Sequence, residues 1–269
     1  MNVETRHYAF LGLFVCVGLV MVIGLRPGVP VTADTQRMFA YIDSLPGGST
    51  LMVSFDHEAS SLPEIQPLAL ALLRHAFSKG HKLVGVAFLA EGTVIGYRLM
   101  QKAAAEYGRK YGQDYVYLGF RPQHVAAILT MAESVREAFP QDYLGHDYNE
   151  IECLRTVDSL GDVAAVISIA DGSTTTYWME YGQSPERLLV LAVVTAAMVT
   201  TYDPYLASGQ MHAMVGGLRG AAEYERLINR SGGGERGMLA QSAAHFYVIA
   251  MIVVGNVVYF KARRKRAAS

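Results

Sequence analysis

Asp56-His57-Glu58 sets two carboxylates around an imidazole, directly after the apolar run Thr50–Phe55. A second reactive group, Asp171-Gly172-Ser173-Thr174, follows Asp162–Ala170, and Arg121 follows Asp114–Phe120. Glu91-Gly92 after Lys82–Leu89 and Thr200–Asp203 after Arg187–Ala196 complete the set. Carboxylates beside a histidine can move protons or hold a divalent cation. The same residues also have plainer readings. Asp171, Ser173 and Thr174 suit helix caps, and Asp56 and His57 suit an ordinary loop. Asp56, His57, Glu58, Arg121, Asp171 and Ser173 form the candidate ligand pocket; the spacing names no metal set and no cofactor.

These residues can meet only if the apolar runs before them lie side by side. Each run is short, and several are apolar on both alternating faces, as strands covered on both sides must be. Helical patterns separate them. Ser61 with Glu64 and Asp147 with Glu150 read as capping boxes, Gly80 as a helix stop, and Pro122 as the first turn of the helix through His124–Phe139. Strand–helix alternation predicts an α/β fold, an open and mostly parallel sheet of about five strands with helices on both faces. Ligands of such sheets bind beyond the strands' carboxyl ends, where all five reactive groups fall.

Several common chemistries are missing. The sequence has no G-x-S-x-G elbow, P-loop, H-E-x-x-H or C-x-x-C. A formal net charge of −1 without a basic face in the middle region argues against a nucleic-acid partner. Cys16 and Cys153 are too far apart in character, one in an apolar segment and one alone, to suggest a disulfide framework.

The block GGLRGAAEYERL, Gly216–Leu227, matches neither a dinucleotide fingerprint nor a phosphate loop. It reads as part of a helix capped by Ser208, on which Ala213, Gly217 and Ala221, and likewise Gly216 and Gly220, recur every fourth residue. Such a face admits another backbone at close range, either the protein's own sheet or a second subunit. Arg219 and Glu223 fall at i, i+4 as a surface ion pair.

Two segments are apolar enough to span a bilayer, which takes roughly 17–25 residues. They are 8–25, an anchor or a signal sequence ending near Ala33, and 238–260. A glycine-rich joint, 231–237, precedes the second, and a basic tail, 261–269, follows it. Lys261, Arg263, Arg264, Lys265 and Arg266 predict a cytoplasmic C-terminus, hence both termini inside and the domain 34–230 outside the cell membrane. The run LLVLAVVTAAMVTTY reads as a last core strand and not a third span. Gln241, His245 and Asn256 share one side of the second span and predict a partner, with Gly12 and Cys16 offering a small groove in the first.

DYVYLGF, PYLASGQMHAMVGGLRGAAEYE and AQSAAHFYVIAMIVVGN resemble segments of an uncharacterised prokaryotic family of membrane-anchored proteins. That family's pattern is close to DYVNLGY, with a GGLRGAAEYE block before the last span; Tyr117 stands here where the pattern has Asn. The resemblance implies the architecture and no activity. The expected function is a membrane-anchored scaffold or ligand-sensing module, with the bilayer and self-association or another membrane protein as partners. The alternative is a hydrolase or transferase using Asp56, Glu58 and Asp171, and it requires those carboxylates to converge on one opening.

Overall fold

The computed structural model describes residues 3–23, 28, 30–182 and 188–267. Arg187 of the fifth expected strand, Gly24 and Leu25 of the first apolar segment and Arg26 beside it lie outside the described residues. Contacts divide the chain into Val29–Gly234 and a second unit of Met1–Gly28 with Glu235–Ser269.

The elements run α1 (Val3–Ile23), α2 (Ala33–Ser44), β1 (Thr50–Asp56), α3 (Leu62–Ser78), β2 (Lys82–Ala87), α4 (Ala90–Glu106), β3 (Tyr115–Phe120), α5 (His124–Glu133) and α6 (Val135–Ala138). They continue with β4 (Ala165–Ala170), α7 (Thr174–Tyr181), β5 (Val190–Val194), α8 (Ala196–Ala207), β6 (Ala213–Gly216), α9 (Gly217–Leu227) and α10 (Gly233–Ala267). The sheet is parallel throughout, in the order β3-β2-β1-β4-β5-β6. Strand order therefore reverses between β1 and β4. All seven residues of β1 are buried, because both faces of the sheet are covered. Leu51, Val53 and Phe55 join Ile167 and Val193 in a core under α2, α3, α4 and α9. Met52, Val84 and Val166 face the other way, into a core with Ile128, Trp178 and Tyr202 of α5, α7 and α8. The period-2 alternation of apolar residues thus feeds two cores at once.

The α/β architecture is as the sequence predicts, with one strand more. Ala213–Gly216, expected inside a long helix, is β6, and Ser208 closes α8 and does not open a helix. The fourfold recurrence of Ala213, Gly217 and Ala221 is therefore not a helical face. Thr200–Asp203 lies within α8, so Thr195 and Ala196 are what follow β5. Neither expected capping box forms. The Ser61 hydroxyl donates to Glu58 O at 2.9 Å, while the Glu64 carboxylate accepts from Ala196 N at 2.6 Å, across the fold. Asp147 accepts from Asn149 N at 2.9 Å ahead of a short turn, Tyr148–Glu150. Ser134, extended, divides the expected helix through His124–Phe139 into α5 and α6. Gly80, at φ +80°, does end α3.

In the other unit, α1 and α10 are each long and apolar enough to cross a membrane. Most of the glycine run expected as a flexible joint is helical: Gly233 opens α10, a 35-residue helix. The groove expected at Gly12 takes Tyr247, whose hydroxyl lies over that glycine and donates to Ala9 O at 2.9 Å.

Candidate functional site

The reversal of strand order puts the carboxyl ends of β1 and β4 side by side, and Asp56 pairs with Ala170 in the last register position. In open parallel sheets this crevice takes the ligand, commonly a phosphate held by backbone N–H groups of the first turn. Here the chain fills it with its own groups. Glu58 N–H donates to the Asp171 carboxylate at 2.8 Å, and Ala59 N–H donates to Glu91 at 2.9 Å. The donors that would meet an anion are occupied by side chains that would repel one.

Asp56 does not face this crevice as a reagent. It is fully buried, accepts from Phe88 N at 2.7 Å and from the Ser54 hydroxyl, and so ties the end of β1 to the turn after β2. Burial pushes its carboxyl up to about 7, against the pull of Ser54 and the Phe88 N–H. His57 is also buried, with Nδ1 3.4 Å from Glu58 O and Nε2 without a partner among the described residues. Its burial lowers the imidazole's proton affinity. Gly92 has a steric reason to be glycine, since a side chain there would run into Phe55 O. Arg121 is drawn away: its Nε donates to Ala138 O and its guanidinium lies 5.0 Å from the centre of the Phe139 ring. Ser173 precedes α7 without capping it through its side chain. Of the six expected pocket residues, the structure joins the Glu58 backbone with Asp171 and sets Asp56 and Arg121 to other tasks. Among the described residues, clefts of about 180, 360 and 430 Å³ open elsewhere; Arg121 lines the largest of these, while Asp56, His57, Glu58 and Asp171 line none of the three.

The smallest of them lies beyond β6, at the block that looked most unusual in the sequence. Thr32, Thr35, Asp34, Asp203, Gly216, Arg219, Gly220 and Glu223 are among its walls. Gly216 ends β6 and Gly217 begins α9 at φ +68°, in the left-handed region that glycine enters most cheaply. Added side chains would strike Val199 at Gly216 and Val215 at Gly220, so these glycines let β6 turn sharply into α9.

Helix α9 then does something no local pattern announces. Glu223, 1% exposed, accepts from Thr32 N at 3.0 Å, from the Thr32 hydroxyl at 2.6 Å and from the Thr35 hydroxyl at 2.7 Å. Arg219, 62% exposed at its side chain, adds an Nε bond of 2.9 Å to the same carboxylate. Burial raises the Glu223 carboxyl, but the Thr32, Thr35 and Arg219 donors outweigh it and hold the group below the usual range. Two residues on, Glu225 accepts from Gly232 N at 3.1 Å and Gly234 N at 2.9 Å. Between them Tyr224 is fully buried, its hydroxyl 2.9 Å from His75 Nδ1. Glu-Tyr-Glu therefore pins the first residues of the Val29–Gly234 unit, its last residues and its core to one helix. The outgoing backbone also runs close to α9: a Cβ on Gly234 would be 2.7 Å from Ala221 C.

Comparison with family models, with characterised proteins and with solved structures returns no match for this chain.

Proposed function

We propose that this chain is a membrane-anchored α/β module that works by binding and display, as a scaffold or ligand sensor within a membrane assembly. The clasp on α9 carries the reading. Thr32 follows the first apolar helix and Gly234 lies in the first turn of the second, and both are held by carboxylates two residues apart. A domain hung from a bilayer by two leads gains from fixing both to one rigid element. Ligand sensing, in this reading, belongs to the cleft beyond β6, whose walls include the residues that grip the incoming lead. The hydrolase or transferase alternative asks Asp56, Glu58 and Asp171 to share an opening. Asp56 is buried and Asp171 is spent on the Glu58 N–H, so that chemistry is not proposed. The kinship with membrane-anchored proteins that carry a GGLRGAAEYE block belongs to the same proposal.

The orientation inferred from the basic tail has the domain outside and both termini in the cytoplasm. Protease added to intact cells stripped of their wall is expected to digest 34–230 and leave an epitope after Phe260 protected. Digestion of the tail with the domain intact would reverse the orientation. Protection of both, lost only on lysis, would place the whole chain inside.

A further inference from the structure

The segment between α6 and β4 carries a polar array outside the α9 clasp. Asp142 and His146 flank a tight turn: Asp142 N donates to His146 O at 3.0 Å, and Gly145 N, at φ +88°, donates to Asp142 O at 3.0 Å. The Asp142 carboxylate is spent inside this array. Its Oδ1 accepts from Leu144 N at 2.9 Å and His146 N at 2.8 Å. Its Oδ2 accepts from the Tyr111 hydroxyl at 2.8 Å and from His146 Nδ1 at 3.0 Å. The carboxylate is wholly buried, whereas the His146 side chain is 55% exposed. Burial raises the Asp142 carboxyl, but the His146 and Tyr111 donors outweigh it and hold the group below the usual range.

An ionised carboxylate only accepts, so in the neutral imidazole Nδ1 carries the hydrogen and Nε2 keeps its lone pair. The His146 ring walls the cleft of about 360 Å³, and Asp142 does not. That cleft forms because Cys153 N donates to Gly112 O at 2.9 Å, which sets the short turn after Ile151 against the segment before β3. Tyr111, Gln113, Glu150, Ile151 and Glu152 supply its other side chains, and no Lys or Arg is among them. Among the described residues, the Glu150 and Glu152 carboxylates make no ion pair and accept no hydrogen bond. With the Tyr111 hydroxyl spent on Asp142, every polar side chain left in the cleft except the Gln113 amide offers acceptors alone. The walls therefore select positive charge. No three His, Cys, Asp or Glu side chains gather as metal ligands among the described residues, so the cation must bring its own donors. Ile151 and the Tyr111 ring give its carbon part an apolar wall, in a space near the lower end of the roughly 300–1,000 Å³ of small-molecule sites. We propose that this cleft binds a small organic cation with N–H donors, an alkylammonium or guanidinium compound, on His146 Nε2, Glu150 and Glu152. Asp142 is the positioning residue, since its bond to Nδ1 keeps Nε2 the acceptor. The site is independent of the membrane-anchored reading and of the cleft beyond β6.

The test is calorimetric titration of the full chain in lipid nanodiscs, at mildly alkaline pH, with butylammonium and butylguanidinium as probes. The tighter of the two identifies the head group. It is expected to bind one per chain and to exceed tetramethylammonium, which has the charge and no N–H, by about tenfold, the worth of one charge-assisted hydrogen bond. His146→Phe, and separately the pair Glu150→Gln and Glu152→Gln, should each weaken the probe about tenfold. All three side chains are exposed, so the denaturation midpoint read from Trp178 should hold in these variants. In the ring-nitrogen NMR spectrum, the signals lost in His146→Phe should show Nδ1 protonated and Nε2 bare, with Nε2 moving as the probe binds. A protonated Nε2 in the free protein, equal affinity for tetramethylammonium, or tighter binding of magnesium or calcium ions would overturn the site. So would indifference to either set of substitutions, or no saturable binding at millimolar probe.

Discussion

Glu225→Ala is expected to lower the unfolding free energy of the domain by about 2–4 kcal/mol, because it strips two backbone donors of their carboxylate. The two N–H groups, of Gly232 and Gly234, have Glu225 as their acceptor at 3.1 and 2.9 Å, and the Glu225 carboxylate is itself 1% exposed. Trp178 is the single tryptophan and is buried within the domain, so its fluorescence in denaturant reports domain unfolding in the full chain. Arg219→Ala serves as the control. Its side chain is 62% exposed, and removing a largely solvated partner should cost less than about 1 kcal/mol. A Glu225→Ala loss no larger than the Arg219→Ala loss would mean that α9 does not hold the outgoing chain. The Glu223 half of the clasp has its own signature. Its carboxyl is depressed in the folded state, so its contribution is complete above the unfolded value and fades as pH falls through the folded one.

The second large effect concerns Asp56 and has the opposite sign. Its carboxyl is pushed up to about 7 by burial, so between about pH 4 and 7 the folded chain holds a proton that the unfolded chain releases. Stability contributed by this group is greatest below that window and is lost as pH rises through it. Roughly three decades of proton affinity correspond to about 4 kcal/mol. Asp56→Asn keeps the shape, an acceptor for Phe88 N and a partner for Ser54, and removes the buried charge. The variant's stability relative to the native protein is expected to rise by about 2–3 kcal/mol between pH 5 and pH 8. Denaturation midpoints at the two pH values measure the difference. Equal offsets at both would show that Asp56 is not a buried, near-neutral titrating group.

The sheet was legible because burial on both faces leaves a mark in the chain itself. Leu51–Val53 and Val163–Ile167 are apolar at consecutive positions, which a half-exposed strand does not tolerate. β6 escaped because it has four residues and its neighbours are small, so Ala213, Gly217 and Ala221 imitate a helical period across a strand end. The candidate pocket was legible as a location and not as a site. Sequence places Asp56 and Asp171 after their strands, but which way a carboxylate turns depends on the Ser54 hydroxyl and the Phe88, Leu89 and Glu58 N–H groups around it. The glycines at 232–234 read as slack. Their reason lies in Glu225 and Ala221, which would collide with side chains at Gly232 and Gly234, and in Pro67, which sits tightly against Gly233. The clasp itself was beyond reach of any local pattern, since Glu223 meets Thr32 across 191 positions of chain. Only the apolar setting of two acids around Tyr224 could have hinted that they were buried.

Hydrogen exchange of the full chain in lipid nanodiscs tests the clasp most directly. The amides of Thr32, Gly232 and Gly234 donate to Glu223 and Glu225. They are expected to exchange slowly, close to the amides of the buried strand β1, since opening them requires α9 to leave the domain. Glu225→Ala should speed exchange at Gly232 and Gly234 and leave β1 protected. Exchange of these three amides in the unaltered protein at the rate of an unstructured peptide, with β1 still protected, would contradict the account.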